Sequence, residues 1–210
     1  MYTNQRFRIS EPLRTIAQRW VSEDARRKPS KVKIFLLAAI AGYAGLHIAG
    51  CTSTQLRPTV QVPEKLKPGA DESLAKIVPA TGVQIYECRA KKDNPVEYEW
   101  AFVAPEAELF DAGGTRIGKH YAGPHWESND GSKIVGAVKE NAAAPAADAI
   151  AWLLLTAKSV GAEGAFSKVT SVQRVSTVGG VAPKTGCSQA AAGTRARVDY
   201  TADYYFFARK

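Results

Sequence analysis

The sequence has few of the residues and motifs on which well-characterised active sites depend. It contains three cysteines and three histidines, and no two cysteines form a C-x-x-C pair, which argues against a zinc site built on cysteines. No G-x-G-x-x-G stretch follows a strand and opens a helix, which argues against a nicotinamide dinucleotide site. A G-x-S-x-G nucleophile elbow, a Walker phosphate loop and the oxygen-rich spacing of an EF-hand are also missing. No enzyme class therefore follows from motifs alone.

The excess of positive charge belongs to the N-terminal part of the chain. The formal net charge is +8, from 28 Lys and Arg against 20 Asp and Glu. Residues 1–33 hold nine of the basic residues and three of the acidic ones, which leaves 19 basic and 17 acidic residues from Cys51 onward. That remainder has an ordinary surface charge and no basic run interleaved with aromatic residues. The sequence therefore does not support nucleic-acid binding.

An apolar run between Ile34 and Gly50 follows two lysines, Lys31 and Lys33. It is too short and too rich in glycine and alanine for a membrane span, and it has the layout of a secretory signal peptide. Its ending, "IAGC", resembles the bacterial lipobox, whose cysteine becomes the acylated first residue of the mature protein. This resemblance implies a lipoprotein signal peptide over 32–50 and a lipid on Cys51. The alternative is a short core helix followed by an ordinary cysteine.

The segments on either side of this signal need their own interpretations. Residues 1–31 are explained either by a translation start placed too early, with the true start at Val32, or by a long polar region before the signal. Residues 51–81 begin with a polar stretch, 52–76, that contains three prolines, which predicts a flexible tether between the lipid and a folded domain. Thr52 is not aspartate, and by analogy with lipoprotein sorting it favours the periplasmic side of the outer membrane.

Two cysteines, Cys88 and Cys187, remain once Cys51 is assigned to the lipid. In an oxidising compartment two leftover cysteines most often pair, so we expect a structural disulfide. Two buried free thiols are the alternative. A bridge that closes roughly a hundred residues would stabilise the fold by about 4–5 kcal/mol in the chain-entropy model.

Short β-like runs separated by Gly, Pro and Asn-Asp turn signals predict a mainly β domain over 82–210. The last run, "ARVDYTADYYFFARK", alternates apolar and polar residues from Val198 to Phe206, as a half-buried strand does. "NDG" lies between two such runs and predicts a hairpin in which Gly131 takes a left-handed conformation. Residues 148–158 fit either one short helix or a buried strand. The expected architecture is a single antiparallel β-sandwich or barrel-like domain.

Several segments together resemble a known family. "GVQIYEC", "AGPHWESNDGSKIVG", "AIAWLLLTAKSVGAEGAFSKVTSVQRVSTVGGVAP" and the "GC" after it occur in this order in a family of exported bacterial and fungal proteins. The family is known only as a domain of unknown function, number thirty-four fifty-five, and the resemblance covers nearly all of 82–209. It implies a secreted context and a cysteine pair compatible with a disulfide. It implies no established activity and no cofactor.

The stretch "HYAGPHWESNDGSKIVG" concentrates the chemically active side chains. If the chain folds back at Gly123-Pro124, then His120, His125 and Glu127 could converge on a metal or act as an acid–base pair. Trp126, in the same loop, is the tryptophan expected to be exposed and could stack on a ligand. The alternative is purely architectural: the Gly-Pro step shapes a turn, Trp126 plugs one end of the domain, and the histidines face solvent.

Three functions remain open from the sequence. The first is a non-enzymatic binding or envelope-associated module that uses loop 120–132, with Trp126 stacking on an envelope ligand or glycan and His120, His125 and Glu127 as polar contacts. The second is a metal-dependent or acid–base hydrolase in the same loop, with His120 and His125 as ligands or bases and Glu127 as general base. The third is a structural lipoprotein. The glycine-rich stretch 177–187 is interpreted as a turn pinned by the disulfide rather than a phosphate loop.

Overall fold

A computed structural model describes residues 60–210 of the chain, and the fold is given for these residues. The expectations for residues 1–31, for the signal peptide at 32–50 and for the lipid on Cys51 lie outside the described residues. Among residues 60–210, no helix is long and apolar enough to cross a membrane. The described chain consists almost wholly of strands, with two single-turn 3₁₀ helices at Glu64–Leu66 and Gln189–Ala191.

Eight strands form one closed antiparallel barrel. Each strand pairs with the next along the chain, and the last pairs with the first, so the described sheet has no free edge. The barrel-like alternative predicted from the sequence is therefore confirmed. The strands are β1 (Glu72–Ala90), β2 (Tyr98–Phe110), β3 (Arg116–Tyr121), β4 (His125–Ser128), β5 (Lys133–Ala142), β6 (Trp152–Ser159), β7 (Val169–Gly179) and β8 (Arg195–Arg209).

Within the ambiguous segment 148–158, residues 152–158 belong to strand β6 and no residue is helical. Its apolar residues are buried on both faces of the sheet: Leu155 lies in the barrel interior, whereas Trp152 and Leu154 pack on the outside. Only an extended chain sends alternate side chains to opposite faces in this way. The apolar run in β6 is unbroken because this part of the sheet packs against apolar residues on both faces.

The three-residue spacing of the valines in β7, which hints at a helix, comes from irregular strand pairing. The register of β7 against β8 shifts between Val169 and Ser171 and again between Val175 and Val178. Val169 and Val172 lie in the interior cluster and Val175 in the outer cluster. Each shift inserts extra residues into the strand and thus breaks the strict alternation of faces.

The barrel interior is an apolar core that is sealed at one end. Phe166, in the β6–β7 connection, is fully buried and meets Phe206 edge to face with 5.0 Å between ring centroids. The main-chain nitrogen of Phe166 donates to the Ser132 hydroxyl, so the β4–β5 turn holds the aromatic plug in place. The Asp130 carboxylate stabilises this arrangement by accepting hydrogen bonds from the Ser132 hydroxyl and from the main-chain nitrogen of Ala165.

A second apolar cluster lies on the outside of the wall formed by β6, β7 and β8. Leu66 is fully buried there, and Val60 and Val62 pack against the same cluster. The Gln173 side chain donates to the Leu66 carbonyl at 2.5 Å, which anchors the segment. Folded structure therefore begins before residue 82, the domain start expected from the sequence, because the preceding segment covers an apolar face and β1 begins at Glu72.

The predicted disulfide between Cys88 and Cys187 is present. It joins β1 to the long connection between β7 and β8. Two main-chain hydrogen bonds, from Cys88 to the Thr194 carbonyl and from Gly193 to the Cys88 carbonyl, hold the other side of that connection against β1. The β7–β8 connection is thus fixed over the barrel end opposite the Phe166 plug.

Candidate functional site

Strands β3 and β4 place the predicted site residues on two opposite faces of the barrel wall. Gly123, with a φ of 114°, makes the tight turn between these strands. In the resulting register His120 lies opposite Trp126, and Tyr121 lies opposite His125. Because side chains alternate along a strand, the first pair points inward and the second outward.

His120 is buried in the barrel interior, with 3% of its surface exposed. Its ring stacks on Trp126 at a centroid distance of 4.4 Å and meets Tyr204 edge-on at 5.0 Å. Its Nδ1 lies 2.8 Å from the His125 carbonyl, and since a carbonyl can only accept, Nδ1 carries the proton. Burial lowers the pKa of His120 to about 3, so the imidazole is neutral at physiological pH.

Trp126 is 1% exposed, so the prediction that it stands free for a ligand is wrong. Its ring contacts His120, Tyr204 and Phe206 within the core. The architectural alternative is correct for this residue, because its strand register directs the indole inward. That alternative fails for His120, which faces the interior rather than solvent.

The outer face of β3 and β4 carries a small connected group of partly exposed side chains. The Tyr121 and His125 rings stack with 5.3 Å between centroids, and the Tyr121 hydroxyl donates to Glu127 at 2.6 Å. Lys119 lies opposite Glu127, 3.3 Å from its Oε1, and its ammonium is 5.4 Å from the centre of the Tyr121 ring. We call Lys119, Tyr121, His125 and Glu127 the outer-face group.

Hydrogen bonding sets the protonation of this group. The bond from the Tyr121 hydroxyl lowers the pKa of Glu127, so the carboxylate stays ionised. The same bond raises the pKa of Tyr121 to about 12, which keeps the phenol protonated. The outer-face group therefore presents an aromatic pair, one anion and one cation at neutral pH.

The metal or acid–base site predicted for His120, His125 and Glu127 requires side chains that converge. The wall of the barrel separates His120 from the other two, so the three do not come together. Within residues 60–210, no group of three or more His, Cys, Asp or Glu side chains is arranged to hold a metal ion. His125 and Glu127 remain together on the outside.

The hairpin predicted at Asn129-Asp130-Gly131 is confirmed, with Gly131 at a φ of 85°. Asp130 accepts hydrogen bonds from Ser132 and Ala165, and these hold the pKa of its carboxyl well below the usual range. This carboxylate therefore has a structural role in joining two connections at the sealed end.

Sequence reasoning missed a polar cluster inside the barrel, near the end covered by the β7–β8 connection. The Tyr200 and Tyr204 hydroxyls lie 3.2 Å apart, and Arg174 lies opposite Tyr204 in the sheet. Gln84 and Tyr86 of β1 complete the cluster, and the Tyr86 hydroxyl donates to the Gly180 carbonyl at 2.6 Å. The inward period of two in β8 could have revealed the tyrosine pair, but no local signal pointed to the arginine.

The glycine-rich stretch 177–187 contains the end of β7 at Gly179, and the remainder turns over this end of the barrel, as predicted. Gly180 has a φ of 82°, and a Cβ there would lie 2.8 Å from the Tyr200 Cβ and 3.2 Å from the Gln84 Cγ. Glycine is required here both for its backbone conformation and for the closeness of the interior side chains.

Comparison with known proteins identifies a family but no characterised relative. No curated protein and no solved structure matches the chain significantly. The family described as "Protein of unknown function (DUF3455)" matches residues 68–208, which include all of β1 to β7 and nearly all of β8. The chain belongs to the DUF3455 family.

Proposed function

We propose that the protein is an exported, lipid-anchored component of the cell envelope that acts as a binding module rather than an enzyme. Its binding surface is the outer-face group on β3 and β4. The observation that carries this proposal is the stacked pair of Tyr121 and His125 beside the Glu127 carboxylate, on the exposed side of the wall.

The chemistry of this surface suits a glycan. An aromatic face packs against the apolar face of a sugar ring, while a carboxylate and an ammonium accept from and donate to its hydroxyls. Glu127 and Lys119 lie beside the ring pair, with the Lys119 ammonium 5.4 Å from the centre of the Tyr121 ring. The β3–β4 turn and the sheet pairing hold these side chains in place, so binding costs little ordering of the protein.

A hydrolase is the weaker alternative. General acid–base catalysis needs two groups within reach of one reacting atom, and His120 is separated from Glu127 by the barrel wall. His125 and Glu127 share a face, but the hydrogen bond from Tyr121 lowers the pKa of Glu127, which makes its carboxylate a weak general base.

Export is supported by the disulfide, because such bonds persist in oxidising compartments. The lipobox-like "IAGC" supports a lipid on Cys51, and Thr52 supports the periplasmic side of the outer membrane.

Binding is tested with purified peptidoglycan sacculi and a glycan array, using the full-length chain in detergent. We expect the double variant Tyr121→Ala/His125→Ala to lose retention by at least about tenfold, equivalent to about 1.4 kcal/mol. Val178→Ala, on the opposite part of the wall, is the matched control and should bind as the native chain does. Equal retention by the native and double-variant chains would exclude this surface.

Anchoring is tested separately by feeding cells a labelled fatty acid and fractionating their membranes. The native chain should take up label and sediment with outer membranes, whereas Cys51→Ala should do neither. Unlabelled native protein in the soluble fraction would rule out the lipid anchor.

A further inference from the structure

Arg174 places a positive charge inside the barrel, near the end covered by the β7–β8 connection. Val172, two positions earlier in β7, faces the interior. Gln173, between them, faces outward and donates to the Leu66 carbonyl. Arg174 therefore points inward. Its Nε and Nη2 atoms both bond to the Ala151 carbonyl, at 3.1 Å and 2.8 Å. The side chain is only partly buried, so part of its surface is accessible to solvent.

No carboxylate neutralises this charge within the described residues. The ion pairs among residues 60–210 all involve other basic side chains. A charge in a protein interior is costly unless a partner of opposite sign or several hydrogen-bond partners satisfy it. A guanidinium has five N–H donors; here the Ala151 carbonyl takes two of them, and a further contact reaches the Tyr204 hydroxyl oxygen.

The neighbours of Arg174 add further unused donors. Gln84 is 2% exposed, and its Nε2 makes no well-formed hydrogen bond among the described residues, although its side chain lies close enough to the Tyr200 hydroxyl to lower the pKa of that phenol. Tyr200 and Tyr204 share one hydrogen bond, which leaves one of their two hydroxyl protons unused. Burial raises the pKa of both phenols, so each keeps its proton. The cluster therefore has an excess of donors and a net positive charge.

The two connections over this end hold the cluster in place. Ala149 forms an isolated bridge with Gly180, and the Ile150 nitrogen donates to the Gly179 carbonyl at 3.0 Å. The Thr177 hydroxyl donates to the Ile150 carbonyl at 2.7 Å. These contacts join the β5–β6 connection to the β7–β8 connection, which the disulfide holds. Arg174 bonds to Ala151, which lies in the β5–β6 connection.

We propose that this end of the barrel is a binding site for a small oxyanion, a carboxylate or a phosphate. Arg174 supplies the charge, and Gln84, Tyr200 and Tyr204 supply the neutral donors. Oxyanions match such a set because a guanidinium donates to two oxygens at once and the remaining lone pairs accept from neutral donors. The site is independent of the outer-face group, and either can fail without the other.

The test is calorimetric titration of the full-length chain in detergent with inorganic phosphate and, separately, with succinate. Ionic strength is matched with chloride. We expect saturable binding of at least one of the two anions, weakened by at least about tenfold, or 1.4 kcal/mol, in Arg174→Gln and less in Arg174→Lys. Arg197→Gln, which removes an exposed arginine from β8, is the control and should bind normally.

A second variant keeps the proposal falsifiable if Arg174→Gln does not fold. Gln84→Met removes the unpaired donor while keeping an unbranched side chain of similar size, so it should fold and bind several-fold more weakly. Phosphate binding preferred over succinate would identify the anion as a phosphate, and the reverse as a carboxylate. No saturable binding of either anion at about 10 mM, or equal binding by the native, Arg174→Gln and Gln84→Met chains, would overturn the proposal.

Discussion

His120 shows how one inward-pointing side chain couples the barrel to pH. Its imidazole is enclosed by Trp126 and Tyr204, where a charged ring could not be solvated. Its Nδ1–H is satisfied by the His125 carbonyl, and this bond ties the ring to the start of β4. The neutral imidazole of His120 is therefore a packed part of the core rather than a catalytic group.

This environment predicts a loss of stability in mild acid. The pKa of His120 is about 3 in the folded protein against an ordinary value of 6.5, so below pH 6.5 the unfolded chain binds a proton that the folded chain does not. The contribution is fully present above pH 6.5 and is lost as the pH falls towards 3, at about 1.4 kcal/mol per pH unit. Between pH 7 and pH 5 we expect urea unfolding to show a loss of about 2 kcal/mol that is absent in His120→Phe.

The exposed histidine supplies the control for that experiment. His125→Gln changes the outer face and leaves the buried ring in place, so it should keep the pH dependence of the native chain. An unchanged dependence in His120→Phe would contradict burial of a neutral imidazole.

The β7–β8 connection is the element whose position depends most on covalent and polar ties. The disulfide holds it to β1, and Trp100 donates from its indole nitrogen to the Thr185 carbonyl at 2.9 Å. The Tyr86 hydroxyl, on the interior side, adds a hydrogen bond to the Gly180 carbonyl. Without these ties a connection of this length, rich in glycine, would have many conformations.

Removal of the disulfide should therefore lower stability substantially. Cys88 and Cys187 are separated by 99 residues, and a loop of this size corresponds to about 4–5 kcal/mol in the chain-entropy model. We expect Cys88→Ala/Cys187→Ala to lose about 2–5 kcal/mol of unfolding free energy in urea, as native disulfides commonly contribute. The native chain under reducing conditions should match the variant. A loss below about 1 kcal/mol would mean that the polar ties alone position the connection.

At the scale of the whole molecule, the barrel has two apolar clusters rather than one. The barrel strands exclude solvent from the interior cluster, whereas the segment from Val60 to Leu66 packs over the outer cluster. That segment precedes the region matched by the family model, which begins at residue 68. A patch that includes Trp152, Tyr205 and Phe207 would otherwise face solvent, and apolar patches of that kind favour association.

Truncation of one side chain tests this dependence. Leu66 is fully buried, so Leu66→Ala should reduce the unfolding free energy by about 2–5 kcal/mol. Val96, which is 84% exposed, is the control, and Val96→Ala should change stability by less than about 0.5 kcal/mol. Equal unfolding free energies for the two variants would show that the segment from Val60 to Leu66 does not contribute to the stability of the barrel.

Much of the fold follows from local patterns. The period of two in β8 correctly identifies Tyr200, Ala202, Tyr204 and Phe206 as inward-facing, because a strand in a one-sided environment must alternate. The "NDG" turn is equally local, since Gly131 alone supplies the required positive φ. The disulfide followed from the number of cysteines and the expected compartment.

Only the tertiary structure decided which face of β3 and β4 points inward and which distant residues meet in the interior. The alternation of β3 and β4 separates His120 and Trp126 from Tyr121, His125 and Glu127, but barrel closure determines which set is buried. The interior cluster joins β1, β7 and β8 through strand register, and irregular pairing in β1 and β7 shifts that register. By itself the sequence determined the β class, the last strand, the hairpin at Gly131 and the cysteine pair, because each depends on neighbouring residues or on composition. The candidate sites depend on how eight strands close, and that is a property of the whole sheet.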